Sequence, residues 1–270
     1  MIGFFDSGLG GLTILKEVIK LLPQYSYIYL SDNARTPYGS RNQETIYQFT
    51  LQGVKNLFEK GANLVILACN TSSSSALRKI QQEFLLKHFP NKNVLGIIIP
   101  TAEEINNFTS SKKIGVLATE ATVDSLSYPK EINKINHEIK VFQQACQLLV
   151  PIIESGKING NDLDLIIKKY LNELFQKSRK IDTIILGCTH YAIIEDKIKK
   201  HLPKNVKVVS QGPIIAEKLK DYFARHPKVE KTLAKGGEKI FFTTEDSERI
   251  KYLSKLFYGE QIEIKLTELF

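Results

Sequence analysis

Short apolar runs alternate with segments of helical period along the chain. The runs at 1–6, 26–31, 63–68, 93–99, 113–118, 139–142, 181–187, 206–210, 239–243 and 261–265 have the length of strands. Most are near-continuously apolar, as expected of strands covered on both faces. Between them the period changes. Leu12, Leu15, Val18, Ile19 and Leu22 recur at i, i+3, i+4, which predicts a helix over 12–22. Leu77, Ile80, Phe84 and His88 form one stripe over 76–89, and Ile215, Leu219 and Tyr222 do so over 214–223. Alternation of this kind predicts an α/β protein with mainly parallel sheet.

The pattern has room for two such sheets. "IPTAEEINN" (99–107) reads as a junction, with Pro100 stopping a strand, and "SQGPIIAEKL" (210–219) reads as the junction back. The predicted organisation is a first α/β domain over 1–97 plus 210–270 and an inserted second one over 98–209. An internal echo supports it: "VILACNTSSSSALRKI" (65–80) resembles "IILGCTHYAIIEDKI" (184–198). Both read as apolar strand, small residue, Cys, Asn or Thr, then helix. Two related halves would each offer a cysteine, Cys69 or Cys188, from the same structural position.

Composition narrows the classes. The chain has 270 residues, 43% of them hydrophobic. No apolar run reaches the ~18 residues of a membrane-spanning helix. "MIGFFDSG" lacks the basic and apolar regions of a signal peptide, so a cytoplasmic protein is expected. Three cysteines without CxxC or HxxxH spacing point to neither a disulfide framework nor a metal site. The net charge of +8 comes from lysines scattered over helices and mixed with acids. That is a solvated surface rather than a nucleic-acid interface, and its field favours a small anionic substrate.

The cysteines carry the chemistry. Ligands of open α/β sheets bind beyond the carboxyl ends of the strands, where Cys69 and Cys188 are predicted to stand. A helix start lowers a thiol's pKa, and Asn70, Thr71 or Thr189 would cap it. Cys146 lacks a strand-to-helix context and reads as a small buried hydrophobe. Two thiols facing each other across a cleft suit racemisation or epimerisation. One takes the α-hydrogen and the other returns a proton to the opposite face. "SGLGG" (7–11) reads either as a phosphate-cradling loop or as a tight turn served by Gly8, Gly10 and Gly11. Asp6 reads equally as a helix cap, Pro37–Gly39 as a turn, and Thr119 and Thr122 as a cap after strand 113–118.

Six segments in order then resemble one family: "FFDSGLGGLT" (4–13), "DNARTPYGSR" (32–41), "LACNTSS" (67–73), "GVLATEATVDSLSY" (115–128), "VPIIESG" (150–156) and "LGCTHY" (186–191). "FFTTEDSERI" (241–250) is similar to the same family's C-terminal segment. The family is glutamate racemase, of the aspartate/glutamate racemase superfamily. The resemblance implies two Rossmann-like halves, pseudo-twofold related, with the active site between them. It implies L- and D-glutamate as substrates, D-glutamate for peptidoglycan as product, and no cofactor, neither pyridoxal phosphate nor metal. It implies Cys69 and Cys188 as the catalytic pair, acting on D- and L-glutamate respectively, with Asp6 assisting Cys69, and His190 and Glu154 assisting Cys188. It implies substrate contacts from Asp6, Ser7, Pro37, Tyr38, Gly39, Asn70, Thr71, Thr119, Thr122, Thr189 and His190. Homodimers are frequent in the family. Activation through an N-terminal extension is not expected, since the chain opens on its first strand. Ile99, Thr101, Gln147 and Ala192 depart from the family's usual residues. Three rivals stay open: a sister racemase for aspartate or a hydantoin, a nucleic-acid or topoisomerase-binding protein, and a thiol redox protein with a Cys69–Cys188 disulfide.

Overall fold

A computed structural model describes residues 1–269. It contains ten strands: β1 Ile2–Asp6, β2 Tyr27–Ser31, β3 Leu64–Leu67, β4 Asn93–Gly96, β5 Lys113–Ala118, β6 Lys140–Ala145, β7 Thr183–Gly187, β8 Lys207–Val209, β9 Lys239–Thr243 and β10 Ile264–Leu266. They form a six-stranded sheet in the order β10-β9-β2-β1-β3-β4 and a four-stranded sheet in the order β6-β5-β7-β8. Every ladder within the sheets is parallel. The α/β class and its parallel sheets are therefore as the alternation predicts. The first four strands of each half follow one topology. The chain leaves the central strand (β1 or β5) to one side and returns to pair with it on the other (β3 or β7). Each sheet thus has a switch point between its central strand and the next one, the place where open α/β sheets bind ligands.

β1, β2, β3 and β7 are buried on both faces, and side-chain alternation sorts their residues between clusters on the two sides of each sheet. Ile2, Phe4, Tyr27, Tyr29, Leu64 and Ile66 join a cluster that also takes in Leu117, Ile184, Leu186 and the helix Leu12–Leu21. Phe5, Ile28, Leu30, Val65 and Leu67 point the other way, under the helix Gln43–Glu59. The outer face of the second sheet has its own cluster, with Ile114, Val116 and Ile185. One glycine of the Gln43–Glu59 helix is a packing requirement. A Cβ on Gly53 would lie 2.1 Å from the Phe5 ring. Alanine is the better helix former by about 1 kcal/mol, but overpacking a fixed core costs about 1–3 kcal/mol. Gly53→Ala should therefore lose up to about 2 kcal/mol net, read as a lower urea midpoint at unchanged slope.

Several predicted elements differ, two of them around Pro100 and His88. The strand expected over 93–99 stops at Gly96, and Pro100 lies inside a helix, Ile98–Glu104. There it occupies the first turn, where its missing N–H costs nothing. The helix expected over 76–89 is segmented, with a π turn at Ile80–Leu85. The extra residue of a π turn rotates the stripe. Leu85 is buried in consequence, and His88 is exposed, stacked on Phe84. No helix among the described residues is long and apolar enough to cross a membrane.

Candidate active site

Cys69 stands two residues beyond β3 and Cys188 immediately beyond β7, so equivalent ends of the two sheets carry them. They line one cavity of about 120 Å³. Ser7, Pro37, Tyr38, Gly39, Asn70, Thr71, Thr119, Thr189 and His190 also line it. Asp6, Thr122 and Glu154 stand one layer behind. All three cysteines are unbridged.

The Cys69 side is built by two strand ends. Ser7 Oγ lies 3.3 Å from Cys69 Sγ and donates to Asp6 Oδ1, also at 3.3 Å. Asp6 is fully buried at the end of β1. Its Oδ2 accepts from the Gly11 N–H and, at 3.2 Å, from the Thr189 hydroxyl of the other half. Burial pushes the Asp6 carboxyl above its ordinary range, against the lowering pull of His190 and these donors. Cys69 is itself the N-cap of the helix Asn70–Ser75, its sulfur accepting the Ser72 N–H at 3.4 Å. Asn70 and Thr71 are first-turn residues rather than the cap. The expectation of a thiol lowered by its helix start is overturned here. Burial, then the charge of Asp6, push Cys69 up to about 12, outweighing the Ser7 and Ser72 contacts.

The four serines are accounted for in part. Ser73 Oγ returns to the Leu67 carbonyl at 2.8 Å, Ser74 Oγ to the Thr71 carbonyl at 3.0 Å, and Ser72 Oγ accepts from Thr50 at 3.1 Å. Those bonds seal a strand end that would otherwise bury free polar groups.

The Cys188 side uses an imidazole. Cys188 Sγ lies 3.8 Å from His190 Nδ1, and His190 Nε2 lies 2.9 Å from Glu154 Oε1. The element after Cys188 is a 3₁₀ turn, Thr189–Ile194, not the α-helix the pattern predicts, and it has no side-chain cap. Burial would lower His190, but its contacts with Cys188 and Glu154 outweigh that and raise it well above the ordinary value. Burial would raise Glu154, but His190, Arg249 and Thr36 together hold it below the usual range. An imidazolium with both N–H groups donating fits this geometry.

The remaining contacts define the walls. Asp32 anchors the Thr36–Ser40 loop: it accepts from Arg35 Nε at 2.7 Å, from Thr244 at 2.9 Å and from the Tyr38 hydroxyl. The Tyr38 hydroxyl is thus committed to Asp32. The Thr36–Pro37 peptide is cis. Thr119 caps the short helix Glu120–Asp124, and its hydroxyl meets Thr71 at 2.9 Å, with Thr122 behind both. The glycines of "SGLGG" have ordinary negative φ, so the turn does not demand them for conformation. Gly10 is required for space: a Cβ there would lie 2.3 Å from Thr189 Oγ1 and 2.9 Å from the His190 nitrogen. The loop is one of the places where the two halves touch.

Some site features carried no sequence signal. Cys146 does follow a strand and lines the cavity, because β6 continues through Gln143 and Gln144 to Ala145. Those two polar residues hide the strand's end in the pattern. Asn70 is clamped by Gln211 Oε1 at 2.6 Å and by the Tyr128 hydroxyl at 2.8 Å. Gln211 in turn donates to Thr101 at 3.0 Å. Tyr128 closes the segment 115–128 and Gln211 opens the junction 210–219, but spacing gives no sign that the two meet at Asn70.

Comparison with known proteins agrees with this architecture. The Asp/Glu/Hydantoin racemase profile matches residues 12–219. A glutamate racemase of Aquifex aeolicus is 36% identical over 266 residues, covering 98% of this chain and 97% of its own. The crystal structure of a glutamate racemase isoform from Bacillus anthracis superposes with a TM-score of 0.89 at 31% identity, covering 100% of this chain and 97% of that one. Glutamate racemase from Francisella tularensis, solved in complex with D-glutamate, gives 0.87 at 32% identity, over 99% and 97%. The chain belongs to the Asp/Glu/hydantoin racemase family, and within it to the glutamate racemases.

Proposed function

We propose that this protein interconverts L- and D-glutamate by a two-base mechanism, without pyridoxal phosphate or metal, and so supplies D-glutamate for peptidoglycan. The observation that carries the proposal is the pair of cysteines lining one small cavity, each backed by its own polar chain. Cys69 leads through Ser7 to Asp6. Cys188 leads through His190 to Glu154. In this reading the halves 1–97 plus 210–270 and 98–209 enclose the substrate. Its α-carboxylate takes first-turn N–H groups and hydroxyls at Asn70, Thr71 and Thr189, with Ser7 beside its ammonium. Thr119, Thr122 and the Pro37–Gly39 loop close the remaining walls.

The two sides are prepared for opposite roles. Cys69, pushed up to about 12, is held as a thiol. An imidazolium at His190 is the counter-charge a thiolate at Cys188 needs. That is the state required by L-glutamate. The Cys188 thiolate takes the Cα proton, and Cys69 delivers its own proton to the opposite face. The product leaves with Cys69 as thiolate and Cys188 as thiol, the state that accepts D-glutamate. The Cα–H is a weak acid, so the hydrogen-bond donors around the carboxylate must stabilise the carbanion-like transition state.

Substrate identity follows from the relatives' activity and is tested by a panel. Pyridoxal-phosphate-free protein should racemise glutamate at least ~100-fold faster, in kcat/KM, than aspartate or a hydantoin, the discrimination expected of polar groups matched to one side-chain length. Preference for aspartate, or turnover only with added pyridoxal phosphate, would contradict the proposal.

A further inference from the structure

The second oxygen of Glu154 is not idle. Oε1 faces His190, while Oε2 lies 3.6 Å from an Arg249 guanidinium nitrogen. Arg249 belongs to the helix Glu248–Tyr258, which follows β9 of the six-stranded sheet. Glu154, His190 and Cys188 all lie among the elements of the four-stranded sheet, between β6 and β8. The ion pair therefore joins the two halves. Glu245 holds the other side of the guanidinium, with Arg249 Nη2 3.1 and 3.0 Å from its two oxygens. The same helix sets Phe257, fully buried, edge-on to the His190 ring at a centroid distance of 5.2 Å. One helix thus touches both members of the Glu154–His190 pair.

We propose that Arg249 is a positioning residue for the Cys188 side, holding the Glu154 carboxylate in the orientation that aims the His190 imidazole at Cys188. The proposal rests on the reading of Cys188 as an acid–base group given above. Arg249 touches no reacting atom, so it acts only through Glu154. The guanidinium side chain is 42% exposed against 10% for Glu154. Solvent screens such a pair, and the effect of removing it should be moderate.

The test uses Arg249→Gln and Arg249→Lys with glutamate deuterated at Cα. The enantiomers have equal free energy, so kcat/KM must fall by the same factor in both directions, about fivefold for Arg249→Gln. The isotope effects should separate. With the Cys188 step slowed, the primary effect rises on L-glutamate, whose hydrogen Cys188 takes, and falls on D-glutamate. Arg249→Lys keeps a charge and should return both effects part of the way. A general loss of packing would lower the rate without this opposed shift. Isotope effects equal to wild type on both enantiomers, in a variant with wild-type circular dichroism, would overturn the proposal. Should Arg249→Gln not fold, Arg249→Lys alone decides, by the same opposed shift or its absence. Cys188→Ser, run in parallel, separates the two readings. Its retaining proton exchange from L-glutamate would sink the Cys188 assignment, whereas wild-type isotope effects beside an inactive Cys188→Ser would sink only the role of Arg249.

Discussion

Cys69→Ser and Cys188→Ser should each lower glutamate racemisation by about 10³-fold or more, with little change in stability. General acid–base groups contribute about 10²–10⁴ each, and a serine hydroxyl is far too weak an acid to replace a thiol in either direction. Both cysteines are nearly buried, 5% and 7% exposed, so the replacement oxygen needs a partner. At position 69 it inherits the Ser72 N–H, and at 188 the His190 ring. The thermal midpoint should stay within a few degrees, since 1 kcal/mol moves a chain of this size by about 2–4 °C. Steady-state polarimetry and thermal unfolding check the two halves of the statement. Cys146→Ser is the internal control. It shares the cavity, but its thiol donates only to the Gln144 carbonyl at 3.5 Å, and burial pushes it further up. Racemisation should survive that change within about tenfold, because Cys146 has no acid–base partner of its own.

Asp6→Asn should cost both activity and stability. Asp6 takes three donors, Gly11 N–H, the Thr189 hydroxyl and Ser7 Oγ, and gives none. An amide in its place turns an N–H₂ group toward at least one of them. Replacing a charged acceptor that holds these buried donors by a neutral amide costs about 1–3 kcal/mol. The Ser7 hydroxyl loses its acceptor on the Cys69 side, so kcat should fall about 10²-fold. The isotope effect should then rise on D-glutamate, the reverse of the Arg249 pattern. The pH dependence carries a sign. The folded Asp6 carboxyl titrates above its ordinary 3.8. The fold therefore holds the proton more tightly than the unfolded chain. That contribution is full below about 3.8 and is lost as pH rises through the folded value. Asp6→Asn should remove this slope from the stability–pH curve, as followed by urea unfolding.

The fold was legible where a single rule governed a segment. β1 and β5 begin and end within a residue of their apolar runs, because both faces of each are covered and no polar residue interrupts them. The stripe of Leu12–Leu22 is legible because only one face of the helix is buried and Lys16, Glu17 and Lys20 fall on the other. Legibility fails where tertiary contact overrides local pattern. Gln143 and Gln144 sit inside β6 because Gln144 finds Glu173 and Lys177, partners remote in sequence. A π turn in 80–85 moves His88 off the stripe that spacing assigns to it. The protonation of Cys69 was misread because the helix start is local and visible, whereas burial and the Asp6 charge arrive only with the fold. The positions named through family resemblance gather around one cavity, whereas Gln211, Tyr128 and Arg249, although they fall within 210–219, 115–128 and 241–250, take their roles from contacts that spacing does not show. Their contacts join segments more than fifty residues apart.

Deuterium incorporation at Cα is the most direct measurement. Pyridoxal-phosphate-free protein is incubated in D₂O with L-glutamate and, separately, with D-glutamate, beside Cys69→Ala and Cys188→Ala. The account predicts that the wild-type protein inverts each enantiomer with deuterium entering Cα of the product, and that either single substitution abolishes inversion. Inversion that persists in either variant, or a folded wild-type protein that neither inverts nor exchanges glutamate, would contradict it.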